Sequence, residues 1–141
     1  MNMTTLQLTG KILISLATAI YGFIPLFVDL GKTHATNPLW ISHARFHVVW
    51  QTIMMFLLAT AGLYFLWFSD AAPSSSINLA FLFGLIVLGG FLLNVLVCRL
   101  YKGTLSDPNG VAPIFGKVDA NLFGFTLGLV LLLLGYIIYH L

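Results

Sequence analysis

HARFHVVWQTIMMFLLATAGLYFLWF, residues 43–68, holds one formally charged side chain, Arg45, in 26 residues and none after it. A bilayer's hydrocarbon core is about 30 Å thick and needs about 20 apolar residues in helix. This run therefore reads as a transmembrane helix, long enough to tilt or to project from the membrane at its histidine end. On a helix, His43, His47 and Gln51 recur every four residues and share one face. Tyr64 and Trp67 form an aromatic belt at the far end.

Upstream, the run joins the chain's main concentration of polar chemistry. Residues 29–51, DLGKTHATNPLWISHARFHVVWQ, contain three of the four histidines, one of the four acids and two of the three tryptophans. Gly31, Asn37 and Pro38 mark a loop, Trp40 is placed as an interfacial anchor, and Ser42 is the expected N-cap of the helix.

Three further apolar runs predict helices over about 11–29, 77–100 and 119–139. With the run at 43–68 they make residues 1–141 a single transmembrane domain, an all-α, integral membrane four-helix bundle. The DAAPSSS connection after the second helix is short, which makes its neighbours antiparallel and the order up-down-up-down. Hydrophobic residues make up 60% of the chain and charged residues 7%, against roughly 25% charged in soluble domains. The first apolar run lacks a cationic opening and a small-residue cleavage site, so it is expected to be retained as a helix.

Thr18, Tyr21, Pro25 and Asp29 fall near one face of the first helix, which is kinked by its proline and expected to look into the bundle. Gly84, Gly89 and Gly90 on the third helix should admit close neighbours. Gly124 and Gly128 form a GxxxG contact face on the fourth, available to a homodimer. Asn94, Cys98 and Tyr101 make a stripe at the end of the third helix.

Five of the six basic residues, Lys32, Arg45, Arg99, Lys102 and Lys117, lie on the side of the first and third loops, and only Lys11 on the other. The positive-inside rule then places both termini outside and the histidine stretch at the cytoplasmic face, in the inner membrane if the source is bacterial. A short internal similarity supports two parallel hairpin repeats: Lys32 and Lys102 each precede an Asx-Pro pair by five residues, and Arg45-Phe46-His47 parallels Lys117-Val118-Asp119. That repeat would set His47 opposite Asp119.

The basic residues are dispersed, so nucleic acid is not an expected partner. Cys98 is the only cysteine, which excludes an internal disulfide and any multi-cysteine metal site. Phosphate-binding glycine loops are also missing, and with Cys98 as the only thiol the chain carries no signature of nucleophilic catalysis.

The bland reading of the polar residues is a solvated His43, an Arg45 that snorkels to phosphate, and an Asp29 paired with Arg45 or Lys32. Taken together, Asp29, His34, Trp40, Gln51, Asn94 and Asn121 are expected to surround a ligand at one mouth of the bundle. His47, His43 and Asp119 would be its acid–base groups. His34, His43, His47 and Asp29 also form a candidate set for a transition metal such as zinc, iron or copper. The ligand would be a lipophilic small molecule delivered by membrane lipid, with or without acid–base or metal-assisted chemistry. The alternative is a non-catalytic accessory or assembly subunit of a larger membrane complex.

The block from His34 through Asn37-Pro38 and Trp40 to His43-Ala44-Arg45-Phe46-His47, with Gln51, resembles a family of small four-helix membrane proteins of fungi and bacteria. They share a THxxNPxW segment leading to HA(K/R)FH. The resemblance covers about half of the chain, mainly the first hairpin. It implies a domain of unknown function and supports the choice of site residues without naming a reaction.

Overall fold

The computed structural model describes residues 3–141. Four segments are long and apolar enough to cross a membrane: Thr5–Val28, Ser42–Trp67, Pro73–Tyr101 and Ala120–Tyr139. They comprise α1 (Thr5–Gly22), α2 (Ile24–Val28), α3 (Ser42–Trp67), α4 (Pro73–Val97) with a 3₁₀ turn at Cys98–Tyr101, and α5 (Ala120–Tyr139). The protein is a multi-pass integral membrane four-helix bundle. Large apolar side chains point outward all round it, Phe27 at 83% exposure and Leu96 at 79% among them, a surface that lipid satisfies and water would not.

Helix ends follow local chemistry more closely than hydropathy does. The first helix starts at Thr5, not near Lys11, because Thr4 and Gln7 form a reciprocal capping box. The third membrane segment starts at Pro73, not Ile77, with proline in the first turn, where its missing N–H costs nothing. Ser42 is the first helical residue of α3, and Ile41 occupies the cap position without a side-chain hydrogen bond. Asp119 caps α5, accepting from the Leu122 N–H at 2.9 Å.

The first membrane segment breaks between Gly22 and Ile24, and Pro25 opens the short α2. The inward face expected there is present: Thr18, Tyr21 and Pro25 are buried and Asp29 is half-buried. Thr18 returns its hydroxyl hydrogen to Ile14 O at 2.8 Å, which lets a polar side chain sit in the core without an open donor.

The helices are not packed evenly along their length. The contact of α1 with α5 is the most extensive; α3 and α4 pair, α1 and α4 touch across the middle, and α3 and α5 do not meet. A Cβ on Gly10 would stand 2.6 Å from Gly135 O, and one on Gly135 2.8 Å from Gly10 O. Here α1 and α5 approach backbone to backbone, which only glycine permits. The buried apolar cluster of Ile14, Ala17, Tyr21, Ala59, Leu66, Ile77, Ala80, Leu88 and Leu132 fills the half of the bundle near the termini and the short α3–α4 connection. The half toward the two longer loops is left more open.

The glycine expectations need correction in detail. Gly84 does receive a neighbour, Leu132, but Gly90 faces open space and Gly89 meets only the Leu85 side chain. Gly128 is buried against Leu88 and Ile20, while Gly124 borders empty space. Both turn into the protein, so they do not present a GxxxG face to a second chain.

Candidate functional site

The open half of the bundle encloses a cavity of about 410 Å³, within the range of small-molecule sites. Asp29, His34, Trp40, His47, Gln51, Asn94 and Asn121 all line it. Seven polar or aromatic candidates, from α2's end, the first loop, α3, α4 and α5, therefore share one space. The expected Asn94–Cys98–Tyr101 stripe borders it as well, with the Tyr101 hydroxyl hydrogen-bonded to Asn94 Oδ1.

Asp29 is held at the end of α2, where its N–H reaches Pro25 O at 2.7 Å. The following turns fold His34 back over it. His34 Nδ1 lies 3.6 Å from Asp29 Oδ1 and 3.0 Å from Thr33 Oγ1. The Thr33 hydroxyl spends its one hydrogen on Val28 O at 2.7 Å, so it accepts from His34, and the hydrogen-bond network assigns the ring proton to Nδ1. Trp40 packs edge-on against the imidazole at 5.0 Å between centroids.

Asp29 and His34 side chains are 18% and 17% exposed. Burial pushes the Asp29 carboxyl above its ordinary value, opposed by the His34 charge and the Thr52 hydroxyl. Thr52 gives little relief, because its hydrogen points to Val48 O at 2.8 Å while Asp29 Oδ2 is 3.5 Å away. Desolvation therefore prevails for Asp29, and its carboxyl sits beside His34 at the polar end of the cavity.

The histidines of α3 are arranged differently from expectation. His43 and His47 do share a face, with Nε2 atoms 3.1 Å apart, but that contact joins them to one another, and both are exposed. Neither pairs with Asp29 or Asp119. His47 stands at the rim of the cavity and His43 lies off it. Asp119 is committed to capping α5, so the facing His47–Asp119 pair implied by the internal repeat is not formed; its residue borders a side cleft of about 220 Å³ shared with His34, Trp40 and Asn121.

The proposed metal set is likewise divided. Among the described residues, no three of His, Cys, Asp or Glu come together to hold an ion. Helical stacking keeps His43 and His47 at the outer edge of α3, whereas the first-loop turns bind His34 to Asp29. Each pair lacks the further protein ligands that a closed zinc site requires.

Arg45 neither snorkels freely nor meets Asp29. Its Nη2 donates to Asn37 O at 2.8 Å. Asn37 is only 2% exposed, and its amide donates to Thr33 O at 3.4 Å and Asn109 O at 3.3 Å. The two long loops are clasped together beside the cavity by this residue. Thr33, Thr52 and Asn37 were not singled out by the sequence as site-forming; the Asn-Pro turn at 37–38 was the signal for the last, and nothing local distinguished the two threonines.

The fold and site thus define a membrane-embedded bundle with a cavity polar at one end. Compared with known protein families, curated proteins and solved structures, the chain matches none.

Proposed function

We propose that the protein binds a lipophilic small molecule in this cavity, at the cytoplasmic mouth of a bundle whose termini lie outside. The supporting observation is the convergence of Asp29, His34, Trp40, His47, Gln51, Asn94 and Asn121 on one space of about 410 Å³, while the other half of the bundle is filled with side chains. His47 lies within the Ser42–Trp67 membrane segment, where an ionisable group carries a cost and marks a functional site by default. Asp29 and His34 hold the polar part of the ligand and can keep or pass a proton there; His47 closes the rim. A nucleophile activated by a base is not part of this reading, since the Cys98 thiol donates to Val95 O at 3.3 Å.

Lipid mass spectrometry and elemental analysis of the purified protein, beside Gly124→Leu, test the proposal. A Cβ at Gly124 meets nothing within 4 Å, and the residue borders the cavity, so leucine fills the space without displacing a helix. The wild type should carry a ligand that the variant lacks, with both equally stable. If the wild type carries neither lipid nor metal and purifies only with a larger partner, the accessory-subunit reading replaces this one.

A further inference from the structure

The cavity has a cleft at its side. A second space of about 420 Å³ runs between α3 and α4 and is lined by Met54, Met55 and Leu58 on one side and Val87 and Gly90 on the other. His47, Gln51, Phe91, Asn94 and Phe125 border both this cleft and the inner cavity, so the two spaces adjoin at these side chains. At Gly90 the cleft is wide open: a Cβ there meets nothing within 4 Å. Nearer the short α3–α4 connection the same helices close up, with Gly62 3.8 Å from Ala80 and Phe83 atoms at its Cβ position.

Depth and polarity along this path match those of a lipid in one leaflet. Met54 and Met55 stand at the middle of the Ser42–Trp67 segment, and Gly90 near the middle of Pro73–Tyr101. From Leu58 up to His47 is eleven residues, about 16 Å of helix, close to half of a hydrocarbon core about 30 Å thick. The path is apolar at the midplane end, amide-lined at Gln51 and Asn94, and ionisable at Asp29 and His34. Gln51 is exposed on a membrane helix and its amide has no hydrogen-bond partner among the described residues, which an oxygen-bearing head would supply.

The cavity and cleft linings contain no lysine or arginine, so a phosphate head would find no permanent cation there. We infer, resting on the binding role proposed above, that the ligand is a chain-bearing lipid with a small uncharged oxygen head, a hydroxyl or carbonyl. It is drawn laterally from the leaflet on the side of the long loops, with its head at Asp29–His34 and its chain leaving between α3 and α4.

Photolabelling in phosphatidylcholine vesicles tests this, using hexadecanol with a diazirine in its chain and a decanol analogue as the short probe. In the wild type the label should map to α3 and α4 around Met54, Met55 and Val87, and hexadecanol should label more strongly than decanol. Gly90→Phe should cut hexadecanol labelling by about tenfold or more and spare decanol, while Leu96→Phe, an outward position, should change neither. Labelling spread over the outer faces of α1 and α5, or indifference to Gly90→Phe, overturns the lateral route. Stoichiometric copurification of a phospholipid that displaces the probe overturns the uncharged head. Gly124→Leu separates the two levels: if it abolishes labelling while Gly90→Phe does not, the cavity binds but the route fails, and if it too is silent the binding role fails.

Discussion

Asp29 and His34 face one another across the start of the first loop, His34 Nδ1 lying 3.6 Å from Asp29 Oδ1, and this pair, not the His43–His47 stack, is the ionisable centre of the cavity. It moves the chemical focus from α3 to the junction of α2 with the loop that follows.

A pH dependence follows from Asp29. Burial raises its pKa above the ordinary value of 3.8, so from about pH 4 upward the native state holds a proton that the unfolded chain has released. Stability contributed by that proton is complete below the unfolded value and is lost as pH rises toward and through the folded one. Thermal melts in detergent should show Asp29→Asn equal to wild type near pH 3 and more stable than it at neutral pH. His34, which faces Asp29 from the loop, opposes the shift; His34→Gln should steepen the wild-type decline. A wild type that gains stability relative to Asp29→Asn over this range would contradict the account.

Three glycines should respond differently to alanine. At Gly10 the new methyl meets the backbone of Gly135 and Tyr139 within 2.8 Å, and relief requires parting α1 from α5, at a cost of about 1–3 kcal/mol. At Gly90 and Gly124 it meets nothing within 4 Å, and the gain in helix propensity, up to about 1 kcal/mol, should leave stability unchanged or slightly higher. Melting temperatures of the three variants in one detergent decide this; an unaffected Gly10→Ala would mean that the tight α1–α5 crossing is wrong.

The four membrane segments were legible because little besides a membrane span requires an uninterrupted apolar run of bilayer length. Their first turns were not, since the Thr4–Gln7 box and Pro73 act through local hydrogen bonding that hydropathy overlooks. For the site, polar side chains on apolar helices announced themselves, and Gln51, Asn94 and Asn121 do reach one cavity. Spacing also put His43 and His47 together, but α3 is apolar nearly all round, so its periodicity could not say which side faces inward. Nor could sequence pair His34 with Asp29, because that contact depends on the turns between Gly31 and Trp40.

Asn37 should be more important than its loop position suggests. Replacing it with alanine removes the acceptor for Leu39 N–H at 3.0 Å and the donor to Thr33 and Asn109 carbonyls. Leaving such buried groups open costs about 1–3 kcal/mol. Asn37→Ala should lower the melting temperature and hasten tryptic cleavage at Lys117 in the released third loop; Asn37→Asp, which keeps the acceptor but not the donor, should also lose the link to Asn109. Unchanged cleavage would show that the loops do not depend on this clasp.

Orientation is testable independently of any ligand. Lys32, Arg45, Arg99, Lys102 and Lys117 lie toward the long-loop side against Lys11 alone at the other, and Lys11 is held near its own interface, its Nζ 4.4 Å from the Trp67 ring centroid. Arg45 is partly spent on Asn37, yet discounting it still leaves four basic residues against one, and the positive-inside rule counts cations within reach of the membrane. In a Cys98→Ser background, single cysteines at Thr5 and Ser74 should react with an impermeant thiol reagent applied to intact cells, whereas those at Thr36 and Gly110 should react only after permeabilisation. Labelling at Thr36 from outside would invert the bundle. The cavity and the cleft between α3 and α4 would survive that result, but the proposed ligand would then be drawn from the outer leaflet, and Asp29 would face the external medium.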